Sequence, residues 1–228
     1  PSHSLSNTTL SDFLADQAIP GIHGLDTRAL TRKLRSSGVM MGMITDSHSP
    51  DSAIAAIKNH RPYGSTDFVS AVTTADPYQW SEPLPGSKLP SRQRTILVDD
   101  YGLKYNILRS LRARGCVVTA MPANSSAQDF ISRKPDGIVL SPGPGDPARL
   151  TGAIDTVKEL VGKFPILGIC LGSQVIAHAF GGTTFKLKFG HRGSNHPVKD
   201  VRTSKVYITA QNHGYAVDPN SLPASLIV

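Results

Sequence analysis

Pro165-Ile166-Leu167-Gly168-Ile169-Cys170-Leu171-Gly172 places a cysteine between glycines, directly after an apolar run that predicts a buried strand. A helical pattern follows from Gln174 to Phe180 and stops at Gly181-Gly182. A nucleophile between glycines at a strand-to-helix turn is the elbow arrangement found in many enzymes, here with sulfur where others carry a serine. The start of the helix directs N–H groups at the sulfur, which favours the thiolate. We therefore predict that Cys170 is a nucleophile; the alternative is a buried structural cysteine.

Strand and helix patterns alternate on the N-terminal side of this elbow. Strands are predicted at residues 95–98, 116–121, 137–140 and 166–169, with helices around Ile107, Leu108 and Leu111 and at 154–161. This alternation predicts an α/β fold with a mostly parallel sheet and helices on both faces. From Thr183 onward the runs are short and alternating, notably residues 206–209, and they predict an antiparallel extension or hairpin.

Three loops are expected to meet in one crevice, because ligands of such sheets bind beyond the carboxyl ends of the strands. These loops are residues 99–102, residues 141–147 and the Cys170 elbow. The second loop has two glycines and three prolines within seven residues, a composition that holds backbone amides rigidly and close to a ligand. Beside a nucleophile it predicts an oxyanion hole, with the N–H groups of Leu171 and Gly143 as donors. The alternative for the loop is a plain tight turn.

The remainder of the chain divides into a first unit, a linker and the domain that contains the elbow. Residues 1–75 are predicted as one unit, with helices at 25–35 (N-cap Asp26 or Thr27) and 52–58 and a short strand at 39–44. Residues 76–92 are rich in proline and turn signals, so they are predicted as a linker. The main domain is then 93–228, and its final apolar residues resemble a strand in mid-course, which predicts truncation at the C-terminus.

The composition excludes several classes of function. The 228 residues contain two cysteines, Cys116 and Cys170, which favours a reducing compartment over a disulfide framework. The beginning of the chain has no signal-peptide pattern, and no apolar run is long enough for a membrane helix. The net charge is +7, but the basic residues are scattered without stacking aromatics, which argues against nucleic acid. The basic clusters at 28–35 and 186–205 are predicted to be solvated or to face a protein partner.

Several motifs together resemble one family. Gly-Ile-Cys-Leu-Gly-x-Gln at 168–174, after Ser-Pro-Gly-Pro-Gly-Asp-Pro at 141–147, resembles the class I (triad) glutamine amidotransferases. The stretches 189–200 (Phe-Gly-His-Arg-Gly-Ser-Asn-His-Pro-Val-Lys-Asp) and 211–218 (Gln-Asn-His-Gly-Tyr-Ala-Val-Asp) resemble the glutaminase subunits of carbamoyl-phosphate synthetases. Asp26-Thr27-Arg28 and Asp100-Tyr101-Gly102 belong to further segments with the same resemblance. It covers essentially the whole chain.

The resemblance implies a reaction and a set of partners. Cys170 would attack the side-chain amide of glutamine, form a glutamyl thioester and release ammonia. A large ATP-dependent subunit would receive the ammonia and use ATP, Mg²⁺ and bicarbonate to make carbamoyl phosphate, whereas this subunit would need no cofactor or metal of its own. Neither nucleic acid nor membrane is implied. The compartment would be the cytoplasm, or an organelle, and the product would enter arginine or pyrimidine synthesis. The residues implied to bind glutamine are Gly143, Gly145, Leu171, Gln174, Asn212, Gly214 and Tyr215.

The chain departs from the family in three places. The family's base is a histidine in a His-Pro-Glu motif, and these 228 residues do not contain that motif. They also lack the family's N-terminal segment with a serine that contacts glutamine. Ser173 stands where most relatives have histidine, although that histidine is not the triad base. We therefore expect a fragment without glutaminase turnover of its own. The alternative is that one of four other histidines acts as the base. These are His178, for which a structural role is predicted, His191, His196 and His213.

Two other functions are considered. One is a triad amidotransferase for anthranilate, GMP or CTP synthesis; the preceding unit with its Asp26-Thr27-Arg28 helix argues against it. The other is a non-catalytic regulatory relative, against which the retention of Cys170 argues. For Gln174, the alternative to binding glutamine is an ordinary solvated position in the first turn of a helix.

Overall fold

A computed structural model describes residues 6–91 and 93–226. The chain forms two compact units, Pro1–Tyr63 and Gly64–Val228. The division falls earlier than the boundary predicted at residue 75. Short 3₁₀ helices occur at Tyr63–Ser65, Pro147–Arg149 and Pro219–Ser221. No helix in the described part of the chain is long and apolar enough to cross a membrane.

The first unit contains three helices, α1 (Leu10–Asp16), α2 (Thr27–Ser37) and α3 (Pro50–Asn59). Each begins at a side chain that accepts a bond from a free N–H group of the first turn. Asp26 does so for α2, with its Oδ1 2.8 Å from the Ala29 nitrogen, which confirms the predicted cap. The helix predicted at 52–58 is also confirmed, and the Ser49 cap with Pro50 at the first position extends it towards the N-terminus.

The strand predicted at residues 39–44 is wrong. This segment is irregular, and Val39, Met43 and Ile44 are exposed. An extended segment becomes a strand only when a neighbour pairs with its backbone groups. Within residues 6–63 no strand is available to do so. The apolar composition alone was therefore a misleading signal.

The second unit has a five-stranded sheet and a separate two-stranded one. In chain order its elements are α4 (Val69–Val72), β1 (Tyr78–Trp80), β2 (Arg94–Asp100), α5 (Tyr105–Ala113), β3 (Cys116–Pro122), α6 (Ala127–Ser132), β4 (Gly137–Leu140), α7 (Thr151–Leu160), β5 (Ile166–Gly168), α8 (Leu171–Ala179), β6 (Thr184–Lys199) and β7 (Val206–Val217). The larger sheet has the order β1-β3-β2-β4-β5. Strands β2 to β5 are parallel, and β1 is antiparallel to β3 at one edge. The predicted α/β fold is thus confirmed.

Strand β1 lies inside the segment predicted as a linker. It is short and is surrounded by the prolines that suggested a linker, and its three residues pair with β3 from Tyr78 opposite Ala120 to Trp80 opposite Val118. An edge position tolerates nearby prolines because one side of the strand needs no partner.

Helices cover both faces of the sheet, as predicted. Neighbouring residues Leu97 and Val98 of β2 point to opposite faces and are almost completely buried. On the Leu97 side the core includes Phe130 of α6, Val157 of α7 and Val175 of α8. On the Val98 side it includes Leu108 of α5, with Val118 and Val139. This two-sided burial explains the continuous apolar runs of the central strands.

Strand β2 is the point at which the order of the sheet reverses. It pairs with β3 on one side and with β4 on the other, so the connections after β3 turn back across it. A crevice opens at such a point beyond the carboxyl ends of the strands. The predicted antiparallel hairpin is confirmed by β6 and β7, whose pairing has two irregularities, between Lys186 and His191 and between Gly193 and His196.

Candidate active site

Cys170 lies between the end of β5 and the start of α8, in the turn predicted from the sequence. Its backbone has φ +53° and ψ −109°, an unfavourable combination for any residue with a side chain. The reversal from strand to helix is completed within two residues, Ile169 and Cys170. The geometry of the elbow is thereby confirmed, and its strain is localised at Cys170 itself.

The glycines on either side of Cys170 are required for the turn. A Cβ atom on Gly168 would lie 2.5 Å from the Gly172 carbonyl carbon and 2.5 Å from the Ser173 nitrogen. A Cβ on Gly172 would overlap the carbonyl group of Leu140 in β4. Both obstacles are backbone atoms, which cannot move aside as a flexible side chain can. The motif therefore allows α8 to begin directly against the end of β4.

The three loops predicted to converge are joined by hydrogen bonds. The Tyr101 N–H donates to Ser141 Oγ at 2.8 Å, and the Ser141 N–H donates to the Asp99 carbonyl at 3.1 Å. The Gly172 N–H in turn donates to the Ser141 carbonyl at 3.2 Å. Ser141 thus connects the end of β2 to the elbow, which confirms that the three loops converge; that they enclose one ligand crevice stays a prediction.

The two predicted oxyanion donors come from adjacent segments. Gly143 packs so closely on the Tyr101 carbonyl that a Cβ there would overlap it, and that Cβ would be 2.8 Å from Leu171 Cδ2. The loop at residues 141–147 is therefore pressed against the first residue of α8. The Leu171 N–H lies near enough to Cys170 Sγ to lower the pKa of the thiol. That these amides stabilise an oxyanion stays a prediction.

The acidity of the Cys170 thiol reflects two opposed effects. Burial of the half-exposed side chain raises its pKa, because the thiolate loses water. The Leu171 N–H and the charges of Arg192 and Lys104 lower it, in this order of size. The predicted effect of the helix start is thus correct in direction, but burial outweighs the amide and the cations, so the pKa of the thiol is raised.

The hairpin forms one wall of the site. The Cys170 thiol lies 3.8 Å from the main-chain carbonyl of Asn212 in β7. Gln174 of α8 is buried, and its Nε2 donates to the Tyr215 carbonyl at 2.6 Å. Of the predicted binding residues, Leu171, Asn212 and Tyr215 therefore lie around the elbow. Gln174 is not solvated, and its NH₂ group is used to hold β7 against α8.

The glycines implied to bind glutamine differ in their surroundings. Gly145 has φ +96°, and the nearest atom to its Cβ position is Phe68 Cδ2 at 3.8 Å, so backbone conformation rather than space favours glycine there. The Cβ position of Gly214 lies 3.6 Å from Arg192 Nη2, an ordinary contact. Packing within the described residues thus requires glycine at 143 but not at 214.

His178 has the structural role that the sequence predicts. Its Nε2 lies 2.9 Å from the Thr184 hydroxyl, which connects α8 to the start of β6. Partial burial lowers the pKa of its imidazole, because the charged form loses water. This hydrogen bond gives the imidazole a structural use between α8 and β6.

The other three candidate histidines, His191, His196 and His213, contact one another on the hairpin. The rings of His191 and His213 meet edge to face at 4.8 Å between centroids, and His196 lies 5.4 Å from His191. Nδ1 of His213 is 2.7 Å from the Tyr215 carbonyl. None of them forms a hydrogen bond with Cys170 Sγ among residues 6–91 and 93–226. The same residues contain no group of three or more His, Cys, Asp or Glu side chains that could hold a metal ion.

The chain was also compared with families of known proteins. Residues 96–228 match the family model "Glutamine amidotransferase class-I". The chain belongs to the class-I glutamine amidotransferases. A second model, "Carbamoyl-phosphate synthase small chain, CPSase domain", matches residues 1–44.

Curated relatives are similar to this amidotransferase over nearly its whole length. The rice protein "Carbamoyl phosphate synthase small chain, chloroplastic" is 45% identical over 227 residues, which is 96% of this chain and 51% of that protein. The Staphylococcus haemolyticus "Carbamoyl phosphate synthase small chain" is 47% identical over 223 residues, covering 97% and 58%. The chain therefore spans about half to three fifths of the length of these relatives.

A solved structure supports the fold. A protein of Thermoplasma acidophilum, described as one component of a GMP synthase, aligns with 59% of this chain and 71% of its own, with a TM-score of 0.50 and 25% identity. The likeness supports the α/β fold.

Ser173 lies in the first turn of α8, where the family resemblance leads us to expect a histidine. Its Oγ donates to the Cys170 carbonyl at 2.7 Å, and its side chain is exposed. The serine thus bonds to the backbone of the strained residue itself. A histidine at this position would have a different reach and would hold the first turn of α8 differently.

The sequence predicted the loops at 99–102 and 141–147 but not the roles of single residues within and beside them. Arg192 and Lys104 place positive charge near the thiol, and Asp99 and Ser141 join the loops through hydrogen bonds. Arg192 and Ser141 lie within the family's motifs, but a motif does not show which side chain faces the cysteine.

A separate pocket of about 220 Å³ lies near the same end of β2, lined by residues that include Asp100, Tyr78 and Tyr105. The Asp100 carboxylate is already occupied there, since it accepts bonds from the N–H groups of Thr74, Gly102 and Leu103. Its polar group therefore stabilises the loop, and the pocket has no group in common with the Cys170 site.

Proposed function

We propose that this chain is the major part of the glutaminase subunit of a carbamoyl-phosphate synthetase. The observation that supports this most strongly is the combination of two matches on one chain, a small-chain domain at residues 1–44 and an amidotransferase domain at 96–228. A nucleophile elbow with Cys170 at its apex supports the catalytic over the regulatory alternative. The amidotransferases for GMP, CTP or anthranilate remain alternatives that share only the second match.

The proposed reaction begins at Cys170. Its sulfur attacks the side-chain amide carbon of glutamine, and the negative charge on the carbonyl oxygen would be stabilised by the N–H groups of Leu171 and Gly143. Collapse of this intermediate breaks the C–N bond, and ammonia leaves after its nitrogen gains a proton. Water then cleaves the thioester, which yields glutamate and restores the thiol.

Both proton transfers need a general acid–base within hydrogen-bond reach. The histidines of the hairpin and of α8 are engaged elsewhere, through the contacts of His178, His191 and His213. The curated relatives are longer than this chain, and we propose that the base lies in a part of the protein outside residues 1–228. Accordingly, we expect these residues alone to be alkylated at Cys170 but to release no ammonia in multiple turnovers.

The proposed partner is a large subunit that uses ATP, Mg²⁺ and bicarbonate, to which the ammonia would pass. The glutaminase subunit would need no cofactor of its own. The two cysteines, both unpaired, fit a reducing compartment such as the cytoplasm, or a plastid as in the rice relative. The same chemistry would serve arginine or pyrimidine synthesis.

The test uses the full-length protein together with its large subunit. Carbamoyl phosphate formation is measured with glutamine and, separately, with ammonia. We expect Cys170→Ser to abolish the glutamine-dependent rate and to retain the ammonia-dependent rate, whereas Cys116→Ser should retain both. Glutamine hydrolysis without carbamoyl phosphate would indicate one of the other amidotransferases. A wild type that responds to ammonia alone would indicate the regulatory relative.

A further inference from the structure

Arg192 and Asn212 face each other across the hairpin beside the catalytic thiol. They are direct partners in the register of β6 and β7, and Arg192 Nη1 donates to Asn212 Oδ1. The main-chain carbonyl of Asn212 is the group that lies 3.8 Å from Cys170 Sγ. Asn212 is therefore the residue at which the hairpin meets the nucleophile, and Arg192 holds its side chain.

The contact with Arg192 determines the orientation of the Asn212 amide. The oxygen and nitrogen of an asparagine side chain have nearly the same shape, so hydrogen-bond partners must decide between the two orientations. A guanidinium group has only donors. The atom of Asn212 that faces Arg192 must therefore be the oxygen, and the NH₂ group is the one that remains for another partner.

We propose that Arg192 is a positioning residue of the glutamine site. It occupies Oδ1 of Asn212 and so presents the Asn212 NH₂ group as a donor to an acceptor oxygen of bound glutamine. The inference rests on the proposed function, which supplies glutamine as the ligand. It also specifies the recognition chemistry, since an NH₂ donor binds a carboxylate or carbonyl oxygen and repels the ammonium group of the ligand.

Besides orienting Asn212, Arg192 affects the reactivity of the Cys170 thiol, and an experiment must separate these two effects. Its charge lowers the pKa of the Cys170 thiol, so removing it slows any reaction of the thiolate. Two electrophiles distinguish these effects. A glutamine-like chloroketone needs both a reactive thiolate and recognition of glutamine, whereas iodoacetamide needs only the thiolate. The ratio of their labelling rates at Cys170 reports recognition alone.

The variants are made in the full-length protein with its large subunit. We expect Arg192→Gln to lower the chloroketone-to-iodoacetamide ratio about tenfold, because glutamine can accept as well as donate and no longer fixes the amide. Arg192→Lys, which retains a pure donor, should restore most of the ratio. Arg192→Glu, a pure acceptor that attracts the Asn212 NH₂ group, should give the lowest ratio. Arg202→Gln, at an exposed position near the turn of the same hairpin, is the matched control and should leave the ratio unchanged.

A double-mutant cycle tests whether Arg192 acts through Asn212. In an Asn212→Ala background the ratio should already be low, and Arg192→Gln should lower it no further. Equal effects of Arg192→Gln in the two backgrounds would overturn the proposal, as would an unchanged ratio in the single variant. A wild type labelled no faster by the chloroketone than by iodoacetamide would instead contradict glutamine as the ligand, and with it the proposed function.

Discussion

At the scale of single residues, Cys170 occupies a backbone conformation that costs free energy. With φ +53° and ψ −109° it is outside the regions that residues with a Cβ populate readily. Glycine adopts such angles without that cost. The nucleophile is therefore held in place by its surroundings against a local preference.

This strain predicts a difference in stability between two small substitutions at the same position. Cys170→Gly removes the Cβ and should give a free energy of unfolding about 1 kcal/mol higher than Cys170→Ala, even after the greater flexibility of glycine in the unfolded chain. Denaturant unfolding of the two variants measures the difference. An alanine variant as stable as the glycine variant would show that the elbow carries no strain.

Asp99 is a second residue whose environment opposes its usual charge state. Its side chain is almost completely buried at the end of β2, and burial raises the pKa of the carboxyl to about 8. The Tyr101 hydroxyl donates to Oδ2 at 2.8 Å and partly offsets this, while Oδ1 has no hydrogen-bond partner within the described residues. The proton is therefore retained in the folded protein.

The pKa of Asp99 predicts that stability falls as pH rises. The unfolded chain loses this proton near pH 4 and the folded one near pH 8, so between these values the folded state binds more protons. The free energy of unfolding should then decrease by up to about 1.4 kcal/mol per pH unit from this group. Asp99→Asn should remove that slope, and unfolding of both proteins at pH 5 and pH 7.5 would reveal it. Parallel pH dependences would refute the assignment of a protonated Asp99.

At the scale of elements, the elbow depends on close contact between α8 and the ends of β4 and β5. Gly168→Ala would bring a methyl group against the backbone of Gly172 and Ser173, and we expect it to destabilise the protein by about 3 kcal/mol. Gly152→Ala in α7 is the matched control. Its Cβ position has no atom within 4 Å, so the change should be neutral or slightly stabilising. Thermal or denaturant unfolding compares the two, and equal losses would contradict this account.

The regular elements of the second unit were predictable because each signal was local. Apolar runs marked β2 to β5, and Gly181 marked the end of α8. Helix α6 was missed although Ser126 and Asp129 form a reciprocal capping box at its start, a signal visible in the sequence. The failed strand at 39–44 and the missed β1 share a cause, since pairing depends on a neighbour distant along the chain.

In the candidate site, too, features set by consecutive residues were predictable, whereas contacts between distant residues were not. Cys170 and the glycines around it were found because the turn needs its residue types consecutively. The link between Arg192 and Asn212 was not found, because their pairing depends on a hairpin register with two irregularities that no short motif encodes. The effect of burial on the Cys170 thiol likewise depends on how the hairpin covers the elbow.

At the scale of the whole molecule, the net charge of +7 raises the question of a polyanionic partner. The basic residues are dispersed, and exposed apolar side chains such as Val201, Tyr207 and Ile208 lie at or near the turn of the hairpin. We therefore predict that the full-length protein binds the large subunit of a synthetase and that excess DNA does not displace it. A pull-down with and without DNA measures this. Tight, salt-sensitive DNA binding without affinity for the large subunit would argue against it.

The order of the sheet also has a consequence for how the molecule assembles. Arg94 pairs with Cys116, only one helix further along the chain, whereas Ile96 must find Gly137, roughly twice as far away. Because nearer contacts form at lower entropic cost, β2 should associate with β3 first and β4 with β5 next, since Ile138 and Ile166 are also closer along the chain than Ile96 and Gly137. The pairing of β2 with β4, which supports the elbow, should then come last. During refolding, a pulsed thiol reagent should therefore find Cys116 protected before Cys170. The reactive thiol would be assembled only when the sheet that supports it already exists.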